Sequence, residues 1–346
     1  MGRVVTFEAP GTVGLADYDD ADLEPHQVRL RTLYSGISAG TELTAYRGSN
    51  PYLSKRWNEG LRLFVEDANA SFEYPIEGWG YEEVGEVSEV GTEVGDVRAG
   101  DLVYGAWGHR TTHVMSGEDA SRALLDAGVG AVNGVFSQIG AIALNAILDA
   151  DIHVGETVVI FGQGVPGLLA TQLARLNGGK VVAVDRIARR LELAGALGAA
   201  SAIDATEVAP AETIRDLTDG RGADVCIEFS GAYPALNEAV RAAAYNSRVV
   251  VSGFFQGEGR GLYLGEEFHH NRIRLVCSQI SGISPPLDHR WNERRLRTTV
   301  MRLQAEGKLQ FEPLISHRFP LAEAAEAFRL LAEMPAEAVQ VVLEMP

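Results

Sequence analysis

The segment Gly162-Gln163-Gly164-Val165-Pro166-Gly167 constrains this chain more than any other. It follows the apolar run Thr157-Val158-Val159-Ile160-Phe161 and precedes Leu168, Leu169, Leu173 and Leu176 at helical spacing, which reads as strand, tight turn and helix. In this G-x-G-x-x-G pattern Gly162 permits the turn, Gly164 lets the backbone approach a pyrophosphate, and Gly167 lets the helix lie close on the strand. A helix opening at Val165 and Pro166 presents unpaired N–H groups to such an anion. Gly is abundant, 38 of 346 residues, so the placement between strand and helix carries the inference rather than the pattern.

A second apolar run, 181–184, ends in Asp185, about 20 residues on, where a carboxylate accepts hydrogen bonds from the ribose hydroxyls of a dinucleotide. It would repel a 2′-phosphate, so NAD is expected. Arg186, Arg189 and Arg190 keep NADP as the alternative, because guanidinium groups pair with phosphate. The alternation continues with strands at 202–204, 224–229, 248–251 and 273–276 and helices at 189–197 and 235–244, which predicts a parallel sheet in a doubly wound α/β fold.

Residues 1–124 read differently. The stretch 28–33 alternates apolar and polar, and 84–103 is punctuated by Gly, the pattern of a small β-barrel or sandwich. After residue 285 come a polar loop, a helix ending near Gly307, a helix over 321–333 and a strand over 338–343. That strand has no partner among the six of the middle zone, so it is expected to return to the N-terminal sheet. The length of 346 residues suits two domains at about 150 each. The expected division is 1–150 with 285–346, and 151–284.

The 30 Lys and Arg against 47 Asp and Glu give a net charge of −17, which disfavours nucleic acid and anionic membrane surfaces as partners. Cys226 and Cys277 lie in apolar stretches and read as buried free thiols. No uninterrupted apolar run of about 18 residues predicts a membrane span. The first ten residues carry Glu8 without an apolar core, so no signal peptide is expected. A cytoplasmic protein acting on a small molecule follows.

Several further stretches carry a resemblance: 35–42 (Ser-Gly-Ile-Ser-Ala-Gly-Thr-Glu), 80–87 (Gly-Tyr-Glu-Glu-Val-Gly-Glu-Val), 100–103, 154–158 and 222–225, in that order around the Gly-rich turn. Over nearly its whole length the chain resembles the medium-chain dehydrogenase/reductase superfamily. The resemblance implies a GroES-like β-barrel catalytic domain plus a Rossmann doubly wound parallel-sheet domain, with hydride transfer in the cleft. It also implies dimerisation through the Rossmann domain, with 261–264 as a candidate contribution.

Zinc members of the family carry G-I-C-G-T-D and G-H-E where this chain has Ser38 and Tyr81, and the third ligand falls near Ser137. Hydroxyls bind Zn²⁺ poorly beside thiolate and imidazole, so no zinc is expected. These variants, with 264–269 and 278–282, are similar to a zinc-free branch that includes bacteriochlorophyllide-type dehydrogenases. Without a metal, a proton donor must stabilise the developing alkoxide. Candidates at the former metal position are Tyr81, Glu42, Glu82 and Ser38, with His109 on a loop expected over the cleft; Tyr46, Arg47, Trp79, Trp107, Phe254 and Trp291 are candidate pocket walls. Family geometry adds Ser230 and Gly231 near the ribose, and Gly253, Phe254, Ser278 and Gln279 around the nicotinamide.

The expected activity is a zinc-independent NAD(P)-dependent oxidoreductase that interconverts a secondary alcohol and a ketone on a cyclic or polyol-like substrate. Reduction of an activated C=C bond is a second expectation, since an enolate needs less electrophilic help. A cofactor-binding sensor or scaffold without turnover is the third.

Overall fold

The computed structural model describes residues 2–66 and 70–346; Met1 and 67–69, inside the first expected domain, lie outside the described residues. The chain divides into two compact units, Met1–Gln138 with Ile315–Pro346, and Ile139–Leu314. The boundaries therefore stand at 138/139 and 314/315 instead of 150/151 and 284/285. Packing explains the shift. Helix Phe136–Ala150 sends Asn145 to the Gly282 carbonyl at 3.1 Å. A Cβ on its Gly140 would lie 2.4 Å from Val300, on helix Glu293–Ala305. Farther on, Gln310 N donates to Gln172 Oε1 at 2.8 Å. Residues on both sides of the expected segment are thus tied to it.

In the second unit a six-stranded sheet runs Ser201–Asp204, Lys180–Asp185, Thr157–Phe161, Ala223–Glu228, Ala243–Val251 and Arg274–Cys277. Every pairing is parallel. In chain order this is 3-2-1-4-5-6, a doubly wound sheet whose order reverses between Thr157–Phe161 and Ala223–Glu228, the place where such sheets hold ligands at their carboxyl ends. The central strands are continuous apolar runs because helices cover both faces; Val159, Phe161, Val182, Val184, Cys226 and Val249 form their buried core. Cys226 is buried as expected, whereas Cys277 is exposed, since Arg274–Cys277 is an edge strand. Gly261 ends a turn, 262–263 are irregular, and Leu264 opens a π-helical turn, Leu264–Phe268. By length and composition 131–150 is apolar enough to cross a membrane, but most of it is buried inside the protein, as in a core helix.

In the first unit Gln27–Ile37 is the central strand. It pairs with Glu82–Val90, Thr112–Ser116 and, antiparallel, the C-terminal strand Gln340–Glu344. The chain end therefore completes the N-terminal sheet, with Val341 opposite Ile37. A smaller sheet joins Gly2–Ala9 to Thr12–Tyr18 and Ile76–Glu77. Alternation along Gln27–Ile37 buries Val28 and Leu30 against Val87, Val97 and Val103.

Candidate functional site

The Gly-rich turn has the geometry its sequence implies. Gly162 has φ +88°, and a Cβ there would lie 2.7 Å from Ser230 N. A Cβ on Gly167 would lie 1.8 Å from the Gly162 carbonyl oxygen, so only Gly lets helix Val165–Leu176 start so close to the strand. Gly164 differs from both. Its φ is −70°, which any residue adopts, and its Cβ would meet nothing nearer than Pro166 at 4.0 Å. Gly164 is the N-cap of this helix, a position that favours Gly, and with no side-chain cap it leaves the helix N–H groups open to an anion. These residues fit the pyrophosphate of a dinucleotide. Val165 packs inward and Pro166 fills the first turn, where its missing N–H costs nothing.

Gln163 contributes differently from the expectation of a cofactor contact. Its side chain is wholly buried, donates to the Ile160 carbonyl at 2.9 Å and accepts from Thr171 Oγ1 at 3.0 Å. It braces the turn from below. Asp185 stands at the carboxyl end of its strand. One oxygen accepts from Arg186 N and Ile187 N at 2.7 and 3.0 Å, the other from Gln163 N at 2.5 Å. This carboxylate therefore ties the second-strand loop to the Gly-rich turn. The Arg186 side chain is exposed; Arg190 is half-buried, and burial pulls its guanidinium pKa down against the pull of Asp185.

After the fourth and fifth strands, Ser230, Gly231 and Gly253 meet. Gly231 has φ +67°, and a Cβ on Gly253 would lie 2.4 Å from Gly231 N. Phe254 is half-exposed. Ser278 is buried, with Asn145 Nδ2 3.4 Å from its Oγ, while Gln279 is exposed and its Oε1 accepts from Ser281 N at 2.7 Å. The structure thus turns these last two toward their own loop and helix.

In the first unit the catalytic candidates gather around the start of helix Ala39–Tyr46 and the strand opening at Glu82. Ser38 Oγ and the Tyr81 hydroxyl share a short hydrogen bond, and Thr41 Oγ1 lies 3.2 Å from the same phenol. Burial, with the Glu82 carboxyl beside it, raises the Tyr81 phenol above its ordinary range, so it stays protonated. Glu42 is fully buried; Oε1 accepts from Ser38 N at 2.9 Å and Oε2 lies 2.6 Å from His109 Nε2. Glu82 is fully buried as well. Its Oε2 accepts from Gln340 Nε2 at 3.1 Å, and its Oε1 has no hydrogen-bond partner. Burial and the neighbouring Glu42 and Glu83 push its carboxyl well above the usual carboxylate range.

His109 overturns its expectation. It lies on the loop between strands Leu102–Gly105 and Thr112–Ser116, but its side chain is wholly buried beneath Gly80, where a Cβ would lie 2.8 Å from the imidazole. Its Nδ1 meets Ser35 Oγ at 2.6 Å, and Ser35 donates onward to Glu83 at 2.9 Å. Burial opposes its charge, but Glu42 and Glu83 outweigh burial and raise its pKa. It positions the Gly80–Tyr81 backbone and Glu42. Trp107 is core, donating from Nε1 to Thr32 at 3.0 Å, Trp79 packs on Phe72 and Tyr46 on Phe328.

The former metal positions do not fit zinc. Ser38 and Tyr81 offer neutral hydroxyls bonded to each other in place of a thiolate and an imidazole, Ser137 Oγ is buried without a partner, and both nitrogens of His109 are engaged. Among the described residues no group of three or more His, Cys, Asp or Glu could hold a metal. Hydroxyl oxygens alone make a weak zinc donor set.

The buried Glu228 had not been singled out from sequence, although a carboxylate closing the apolar run 225–227 just before Ser-Gly was visible there.

Comparison with known proteins agrees with this architecture. The zinc-binding dehydrogenase family matches residues 164–293. D-guloside 3-dehydrogenase of Escherichia coli (strain K12) is 30% identical over 325 residues, 92% of this chain and 93% of that protein. Sorbitol dehydrogenase of Halalkalibacterium halodurans is 26% identical over 356 residues, 92% of this chain and 91% of that one. A short chain alcohol dehydrogenase from Escherichia coli CFT073, solved with NADH, shares the fold with a TM-score of 0.76 at 21% identity over 99% of both chains.

Proposed function

The chain belongs to the zinc-binding dehydrogenases of the medium-chain dehydrogenase/reductase superfamily, and we propose that it is a zinc-independent, NAD(P)-dependent enzyme interconverting a secondary alcohol and a ketone on a sugar or polyol. The observation that carries this reading is the open space beside Gly164, at a helix N-terminus with no side-chain cap, between two glycines that the fold itself requires. The relatives named for a D-guloside and for sorbitol support a polyhydroxylated substrate. NAD is the preferred coenzyme: Asp185 ends the second strand, and its carboxylate can still accept from a ribose hydroxyl beside its three backbone donors.

A bound nicotinamide coenzyme supplies or accepts the hydride. The chain's own task is the proton on the substrate oxygen. Tyr81, held neutral by burial, donates a hydrogen bond to the carbonyl oxygen and gives up its proton as that oxygen becomes an alkoxide. Ser38 and Thr41, both bonded to the phenol oxygen, stabilise the phenolate by donating hydrogen bonds to it, and a proton from solvent restores the phenol once the product has left. Glu82 lies beside the phenol, its carboxyl pushed well above the usual carboxylate range by burial and by Glu42 and Glu83, and its Oε1 is buried without a partner. In oxidation the same groups run in reverse. Glu42 and His109 hold this array without touching substrate.

The test is metal analysis of the purified protein beside NADH and NADPH titration and a panel of glycosides, polyols and enones. Coenzyme binding, chelator-resistant oxidation of a polyol or glycoside and sub-stoichiometric zinc are expected. Stoichiometric zinc removes the metal-free mechanism, and turnover confined to enones replaces the ketone chemistry with C=C reduction.

A further inference from the structure

Glu228 is the last residue of the fourth strand, opposite Phe161 in register, at the point where the order of the parallel sheet reverses. It is wholly buried, yet it does not take part in the chemistry proposed above. Its side-chain hydrogen bonds all go to the turn that follows at the carboxyl end of the sheet. The carboxylate accepts from Ser230 N at 2.7 Å, from the Ser230 hydroxyl, and from Gly231 N at 3.2 Å. The Glu228 carbonyl accepts from Ser252 N and Gly253 N, both at 2.9 Å. The backbones of these turns also press on one another. Ser230 N blocks a Cβ at Gly162, Gly231 N blocks one at Gly253, and Glu228 Oε2 would lie 2.5 Å from that same Gly253 Cβ.

We propose that Glu228 is a positioning residue for the coenzyme: its carboxylate fixes the 230–231 turn between the Gly-rich turn and Gly253, so that three strand ends present one rigid surface to the dinucleotide. The inference rests on the proposed coenzyme reading. Its physical basis is preorganisation. Three donors converge on one buried carboxylate, which holds Gly231 at φ +67° before any ligand arrives, so binding does not bear the cost of ordering that turn. An apolar side chain at 228 would remove the acceptor for all three donors and with it the tether that orders this partly exposed turn. The role also explains why a buried carboxyl is kept at the end of an otherwise apolar strand; burial pushes it up to about 7, and no charged group acts to offset that cost.

The test uses the full chain and two variants, Glu228→Gln and the milder Ser230→Ala. Amide hydrogen exchange is followed in the coenzyme-free protein and NADH affinity by fluorescence titration. For Glu228→Gln the expected result is exchange at Ser230 and Gly231 accelerated at least tenfold, with strand 157–161 unchanged. NADH affinity should fall roughly tenfold, appearing in turnover as a raised coenzyme KM with kcat at saturation largely retained. Ser230→Ala should move both readouts the same way by a smaller factor, which keeps the test decisive if Glu228→Gln does not fold. Unchanged exchange in both variants, or faster exchange with unchanged NADH affinity, overturns the proposal. A wild-type chain that binds neither NADH nor NADPH overturns the coenzyme reading and this inference with it, and the wild-type titration tells that failure apart from failure of the Glu228 contacts alone.

Discussion

His109 Nε2 lies 2.6 Å from Glu42 Oε2, and solvent reaches neither side chain. A second carboxylate, Glu83, stands 4.0 Å from the other ring nitrogen. One imidazole thus serves two buried acids inside the first unit. A carboxylate in such a place is tolerated only when paired and hydrogen-bonded. The pair holds the Ser38 amide through Glu42 and sets the path of the backbone at Gly80, so it underlies the Ser38–Tyr81 contact without belonging to it.

Removal of the imidazole strands Glu42, so His109→Ala should cost about 4 kcal/mol in urea unfolding. Glu42→Gln, which keeps an acceptor for Ser38 N, should cost less. Because the folded protein raises the His109 pKa, the pair's contribution is fully present below the unfolded imidazole value of 6.5 and is lost as pH rises through the higher folded value. Stability curves of the wild type and His109→Gln should therefore converge as pH rises above neutral. Parallel curves across pH 6 to 9 would exclude the charged pair.

Tyr81→Phe removes the proton donor and leaves the ring. We expect kcat to fall by roughly 100-fold to 1,000-fold, the usual loss for a group that stabilises developing negative charge, with NADH affinity unchanged. Ser38→Ala leaves the phenol bonded only to Thr41 and should cost about tenfold. Since burial and Glu82 raise the phenol, no loss of activity from Tyr81 ionisation should appear between pH 6 and 10. Full activity in Tyr81→Phe would move the proton transfer to Glu82.

How much of this was legible in the sequence depends on how local each feature is. The Gly-rich turn lies within six consecutive residues, so spacing and flanking runs revealed it. The C-terminal strand was placed by elimination, as the one strand without a partner in the middle zone. His109 was misread because its surroundings are assembled from afar: Ser35, Glu42, Gly80 and Glu83 close around it only once the central strand has paired. The direction of the Gln163 side chain was not legible, since the residue between two glycines faces whichever side the turn dictates, and here Thr171 and Ile160 take it inward. Helix Phe136–Ala150 follows the second unit because Asn145 and Gly140 engage residues beyond 280, which no local pattern announces.

Glu228 provides a stability test of its own. Its carboxyl is pushed by burial from 4.5 to about 7 in the folded protein. For a raised carboxyl, the folded state holds the proton more tightly than the unfolded one. The resulting stability is complete below about pH 4.5 and is lost as pH rises through 7, about 3 kcal/mol in all at 1.36 kcal/mol per unit. Wild type minus Glu228→Gln should show that decline between pH 4.5 and 7 and a plateau above it. A flat difference would mean that the three hydrogen bonds to the carboxylate offset its burial completely.

The glycines of the phosphate turn separate fold from binding in a single pair of variants. Gly167→Ala places a Cβ 1.8 Å from the Gly162 carbonyl oxygen, a backbone atom that cannot step aside, so the helix must move off the strand. We expect a loss of about 3 kcal/mol or failure to accumulate folded protein. Gly164→Ala meets no atom outside its chain neighbours nearer than 4.0 Å and has an ordinary φ of −70°, so the fold should survive with a loss of at most about 1 kcal/mol from the poorer N-cap. Its methyl group occupies the space assigned to the pyrophosphate, and NADH affinity should fall at least tenfold. If Gly164→Ala binds NADH as the wild type does, the space beside Gly164 is not where the dinucleotide sits, and the glycine there needs another explanation.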